Sequence, residues 1–152
     1  MITVDKSSLL ATSSDSAWYA ATTVTAFKLV TRGVLRFPAV AKREGRWRQG
    51  EVAHSWVYLF GVLPITRHRI LVDELSDNTR TLVTREGGGL IREWNHTIIV
   101  VPVDANTCEY RDRVEIDAGV FTPIVAAYAR WMYRTRQRRW VQLAHALPRA
   151  TT

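Results

Sequence analysis

Cysteine is nearly absent: Cys108 stands alone in 152 residues, so no intramolecular disulfide can form. Lysine is scarce as well, limited to Lys6, Lys28 and Lys42, and arginine supplies the rest of a net charge of +7. Charges interrupt every apolar run before it reaches the roughly 18 to 20 residues that cross a bilayer, so stable membrane insertion is not expected. The beginning, Met1-Ile2-Thr3-Val4-Asp5, has neither the basic segment nor the apolar stretch of a secretory signal, which predicts a cytoplasmic chain. Metal-ligand spacing is missing too: the histidines are scattered and no His-x-x-x-His or Cys-x-x-Cys occurs, so no metal is expected. The run Gly87-Gly88-Gly89 joins two extended segments and opens no helix, which excludes a phosphate-cradling loop, and no cofactor is expected.

What is present belongs to a folded domain. Apolar residues make up 47% of the chain and charged residues 23%, outside the composition that leaves chains disordered. The length fits one core, read here as a single domain over 1–148 with a short tail at 149–152. Six Trp, five Tyr and four Phe predict either an aromatic-rich core or a cavity walled by rings.

Periodicity divides the chain. Residues 2–10 alternate as a short strand. Ser13, Ser14 and Asp15 offer capping oxygens ahead of Ala17 and Trp18, so a helix begins there. The β-branched stretch 22–25 weakens it, which predicts two short helices or one broken helix up to about residue 36, stopped by Pro38. Residues 41–50 read as a polar loop with at most a short strand around Trp47. Two-residue alternation then marks strands at 51–60, 66–74, 80–85, 90–101 and 108–117, linked by turn chemistry into a meander. From 120 to 147 the period becomes helical, with Phe121, Ile124, Val125, Tyr128, Trp131, Met132, Leu143 and Leu147 on one broad face. A rod of about 40 Å follows from the rise per residue.

This order of elements resembles the helix-grip superfamily known as SRPBCC, which includes START lipid-transfer domains and polyketide cyclases and dehydrases. The resemblance spans nearly the whole chain. It is carried by Trp47-Arg48-Gln49-Gly50, Phe60-Gly61-Val62-Leu63-Pro64, the stretches 88–96 and 106–114, and the helix with Arg138, Arg139 and Leu143. It implies an α+β fold in which a curved antiparallel sheet wraps around a long C-terminal helix. It also implies a cavity between the two, and says little about reaction, because the scaffold hosts transport, sensing and catalysis.

On that reading the ring-rich face of 51–60 points inward, and Trp56, Tyr58, His68, Trp94, Tyr110, Tyr128 and Met132 line a mostly apolar cavity. Asp112 lies on the apolar face of its strand, where a carboxylate needs a partner. Arg136 and Arg139 fall within the inward stripe of the long helix. An Asp112–Arg139 ion pair is expected, and either arginine is a candidate anchor for an acidic head group. His54, His96 and Asp112 are the candidate acid–base residues should the cavity catalyse a cyclase-like or dehydrase-like step. The expected partner is a hydrophobic small molecule, lipid-like or polyketide-like. Arg130, Arg134 and Arg138 form an i, i+4, i+8 stripe opposite the apolar face; it reads as a solvated exterior, and nucleic acid is not the expected partner. Pairing into a homodimer stays open.

Overall fold

The computed structural model describes residues 1–148, and the tail expected at 149–152 lies outside the described residues. In chain order the elements are β1 (Ile2–Leu10), α1 (Ser14–Ala21), α2 (Val24–Thr31), β2 (Leu35–Arg36), α3 (Pro38–Ala41), β3 (Val52–Leu59), β4 (Leu63–Ser76), β5 (Thr81–Gly88), β6 (Ile91–Asp104) and β7 (Thr107–Asp117). A 3-10 turn at Gly119–Phe121 then leads into α4 (Thr122–Ala144).

Local chemistry explains where the short helices start and stop. Ser13 caps α1 by accepting from the Ser16 amide at 3.2 Å. The break falls at Thr22 and Thr23, whose hydroxyls donate back to the carbonyls of Tyr19 and Ala20, and Thr23 then caps α2. The helical reading up to residue 36 is too long: α2 ends at Thr31, and Gly33 follows with a φ of 75°. Pro38 does not close a helix but opens α3, where its missing N–H costs nothing.

The seven strands form one antiparallel sheet in the order β1-β7-β6-β5-β4-β3-β2, a hairpin meander with β1 returning to pair beside β7. The sheet curls around α4, and the architecture is the helix-grip fold. Register decides which face of each strand looks inward. Ser55 lies opposite His68 and Ala53 opposite Ile70, whereas Trp56 lies opposite Arg67 and His54 opposite Arg69. Directly opposed residues share a face. With His68, Ile70 and Val72 buried, the ring-bearing face of β3 is forced outward together with the two arginines. The expectation that Trp56 and Tyr58 line the interior is therefore corrected; β3 turns Ser55, Val57 and Leu59 inward instead.

The 23 residues of α4 span about 35 Å. The buried stripe is Ala126, Ala129, Met132, Tyr133, Arg136, Gln137, Trp140 and Ala144, rotated from the stripe the sequence predicts. Small side chains at 126 and 129 let the rod approach the sheet closely, and this turns Ile124 and Trp131 toward solvent. Two apolar clusters hold it. One gathers Trp18, Val24, Val72, Tyr110 and Trp140, and the other Val4, Val114, Ile116, Met132 and Tyr133. At the other end, the β5–β6 turn passes so near β4 that a Cβ on Gly88 would lie 2.0 Å from the Arg67 carbonyl oxygen, so only glycine fits there.

Candidate functional site

A cavity of about 320 Å³ opens between the sheet and the first half of α4. Phe27 and Thr31 of α2, Phe37, and Val57 and Leu59 of β3 form one wall. Ile91 and Trp94 of β6 form another, and Val125, Tyr128 and Met132 of α4 form the roof. The lining is mostly apolar, with Thr31 and Thr66 on the walls, and its charged and ionisable groups, His68, Glu86, Tyr133 and Arg136, converge at the inner end. An apolar chamber with a few clustered polar groups is the usual build of a small-molecule site.

Two carboxylate–imidazole pairs sit at that inner end. His68 Nε2 lies 3.0 Å from Glu86 Oε2, and the Thr84 hydroxyl donates to Glu86 Oε1 at 2.6 Å. Burial works to raise the Glu86 pKa, but the bond and charge of His68 and the Thr84 hydroxyl outweigh it and hold the carboxyl below its usual range. Behind lies Asp112, with His96 Nε2 at 2.7 Å from Oδ1 and Gln137 Nε2 donating to Oδ2 at 2.8 Å. The Tyr110 hydroxyl donates to the same Oδ1 at 3.3 Å, and Arg136 Nη2 stands 3.7 Å away. Burial again pushes upward, yet Arg136, His96 and Gln137 together keep Asp112 ionised, below its ordinary value. Desolvation drives the Tyr133 and Tyr110 phenols upward, so both stay neutral at the end of the cavity.

Arg136 is the least satisfied member. Its guanidinium donates one hydrogen bond among the described residues, from Nη2 to the Tyr110 hydroxyl at 3.4 Å, and lies over the Tyr133 ring at 5.2 Å. Its Nε is buried without a partner. A buried donor left unpaired costs about 1 to 3 kcal/mol, and more when charged, so this N–H is a site that rewards an acceptor.

The expected partnership of Asp112 with Arg139 is overturned. Arg139 reaches the other way, donating from Nη1 to the carbonyls of Val30 and Arg32 at the end of α2, while Arg136 holds the Asp112 side. Of the residues read from sequence, His68, Trp94, Tyr128, Met132 and Arg136 line the cavity. Tyr110, Asp112 and His96 stand behind it in the polar cluster, Tyr110 stacked on Trp140 with ring centroids 4.7 Å apart. His54, Trp56 and Tyr58 are outside, along a shallow groove on the outer face with Arg67 and Lys42. Sequence reasoning missed Glu86, Gln137 and Tyr133. Glu86 had a usable signal, since it continues the alternation of Leu82 and Thr84 on the buried face of β5. Among the described residues no group of three or more His, Cys, Asp or Glu side chains is placed to hold a metal ion, and no helix is long and apolar enough to cross a membrane.

Fold and cavity together define a helix-grip architecture, a curled antiparallel sheet around a long C-terminal helix with a chamber between them. Residues 8–144 match the family described as Domain of unknown function (DUF8410), and the chain belongs to that family. No curated protein matches it in sequence. Solved structures that share the fold include the Zhui aromatase/cyclase of a Streptomyces species, at 11% identity and a TM-score of 0.72, covering 95% of this chain and 93% of that one. Norcoclaurine synthase from Thalictrum flavum, in complex with dopamine and hydroxybenzaldehyde, aligns at 12% identity and a TM-score of 0.66, covering 95% and 87%. A START superfamily protein from Mycobacterium smegmatis aligns at 12% identity and a TM-score of 0.67, covering 95% and 97%. At such identities the likeness is one of fold.

Proposed function

We propose that the protein binds a hydrophobic small molecule in the cavity beneath α4, with an oxygen acceptor of the ligand seated on Arg136. The observation that carries this is Arg136, which lines the inner end of a mostly apolar chamber with a guanidinium that donates a single hydrogen bond among the described residues and leaves its Nε unpartnered. A flat aromatic or lipid-like body fits walls built from Val57, Trp94, Tyr128 and Met132. The fold neighbours include an aromatase/cyclase and a START superfamily protein, which supports ligand binding at this coarse level.

Titration calorimetry with two matched probes tests the reading. Acetonaphthone carries a carbonyl; ethylnaphthalene has a similar shape without one. The ketone is expected to bind more tightly, and Arg136→Lys, which keeps the charge but removes the Nε donor, should weaken it about tenfold, the worth of one charge-assisted hydrogen bond. Ethylnaphthalene should be little affected. Failure of both probes to bind, or equal losses for the two, contradicts the assignment.

A second reading, catalysis of proton transfer, has its own support. Glu86 occupies Nε2 of His68, and Nδ1 has no hydrogen-bond partner among the described residues. A carboxylate-held imidazole with a free nitrogen is the arrangement of a general base. With a ketone oxygen on Arg136, the proton lost from the adjacent carbon would pass to His68 Nδ1 and leave an enolate held by the guanidinium. Deuterium exchange at the methyl group of acetonaphthone, followed by NMR, should be accelerated by the protein and lose that acceleration in His68→Asn and Glu86→Gln at unchanged probe affinity. Equal exchange with and without protein removes catalysis and leaves binding.

A further inference from the structure

The open end of the cavity is ringed by large apolar side chains that face water. The β3–β4 turn presents Phe60, Val62, Leu63 and Ile65, with Val62 77% exposed. Leu90 on the β5–β6 turn is 64% exposed. The 3-10 turn and first turn of α4 add Val120 at 88% and Ile124 at 71%. Contacts join these tips into one rim. The Phe60 ring lies 5.7 Å from that of Trp131 and 6.1 Å from that of Tyr128, tying the β3–β4 turn to α4. Gly88 and Gly89 sit against Arg67 and Thr66, joining the two turns, and the Arg92 guanidinium lies against Gly119 at the approach to α4. Isolated exposed apolar residues are ordinary, but a contiguous ring of them marks an interaction surface.

Charge narrows the choice of partner. The segments 16–43, 52–72 and 118–148, which build most of the rim, contain no Asp or Glu. They carry Arg36, whose Nε donates to the Gly61 carbonyl at 3.0 Å, and the exposed Arg67 and Arg130. The acidic residues nearest the approach to α4 are Glu93 and Asp117, and Asp117 accepts from the Gly119 amide. The rim is therefore greasy at its tips and cationic behind them.

We propose that this rim docks the protein on an anionic phospholipid bilayer, with the aliphatic and aromatic tips among the headgroups and the arginines on lipid phosphates, so that the cavity opens toward the membrane. Aliphatic tips backed by charge of one sign, on three separate turns, suit a fluid surface that demands no defined contact pattern. The contact is peripheral, since no described helix is fit to cross a bilayer. The proposal does not depend on the ligand reading, and either can fail alone.

Co-sedimentation of the full chain with phosphatidylcholine vesicles, with and without phosphatidylserine, tests it. Binding should be about tenfold or more tighter on the serine-containing vesicles and fall steeply as sodium chloride is raised. The double variant Val62→Asp, Leu63→Asp should lose about tenfold or more of that binding with an unchanged thermal transition, because both side chains are exposed. Arg67→Gln should weaken it, whereas Arg111→Gln, level with Ile99 and Thr81 toward the opposite end of the sheet, should not; that contrast separates the rim from net charge. No binding to serine-containing vesicles, or a double variant that binds as the parent does, overturns the proposal. So does concentration-dependent self-association in sedimentation velocity that the same substitutions abolish, since it gives the rim to a second copy of the chain.

Discussion

Asp112→Ala is expected to lower stability by about 3 to 5 kcal/mol, the usual cost of removing one partner from a buried ion pair. The loss arises less from the missing attraction than from what is left behind. Arg136 would keep its charge in a dry site, and the donors of His96 and Gln137 would face empty space. Asp112→Asn, which preserves shape, should cost less and isolate the charge. The pH dependence follows from the lowered pKa. In the unfolded chain the carboxyl titrates near its ordinary 3.8, and in the folded protein below it. Its stabilisation is therefore complete above the unfolded value and lost as pH falls through the folded one. Urea titrations from neutral to acid pH should show the gap between parent and Asp112→Asn narrowing below about pH 4. A gap that stays constant, or widens, would mean that the carboxyl is not held ionised by Arg136 and His96.

The second large effect is on binding. Val125 lines the cavity from α4, in contact with the second apolar cluster but not fully buried. Val125→Trp should fill much of the chamber with an indole and reduce acetonaphthone affinity about a hundredfold, while stability changes by about 1 kcal/mol or less because a void is being filled rather than a packed site overfilled. Calorimetry and urea unfolding on the same sample separate the two quantities. Unchanged affinity would remove the probe from this cavity.

Particular residues explain what could be read from the sequence and what could not. The long strands were legible because alternation sets the period, and the break between α1 and α2 because the β-branched stretch 22–25 weakens a helix; the hydroxyls of Thr22 and Thr23, which donate to the carbonyls of Tyr19 and Ala20, mark it in the structure. Asp112 stood out as a carboxylate on an apolar strand face, and it is buried. Its partner was mistaken because Arg136 and Arg139 are three residues apart and share a side of the helix. Only the close approach at Ala126 and Ala129 fixes the rotation that sends one to Asp112 and the other to α2. The rings of β3 misled for a different reason. Alternation reports that two faces exist but not which one is buried, and that was decided by pairing with β4, where Arg67 and Arg69 stand opposite Trp56 and His54. Glu86 escaped notice because it adjoins the glycine run, where a bulge interrupts the pattern.

A crystal structure of the protein with acetonaphthone tests the account at its centre. The rings should lie beneath α4 between Val57, Trp94 and Tyr128, with the carbonyl oxygen about 3 Å from a nitrogen of the Arg136 guanidinium. A chamber closed by repacked side chains, or a probe bound with its oxygen turned to the open end, would contradict it.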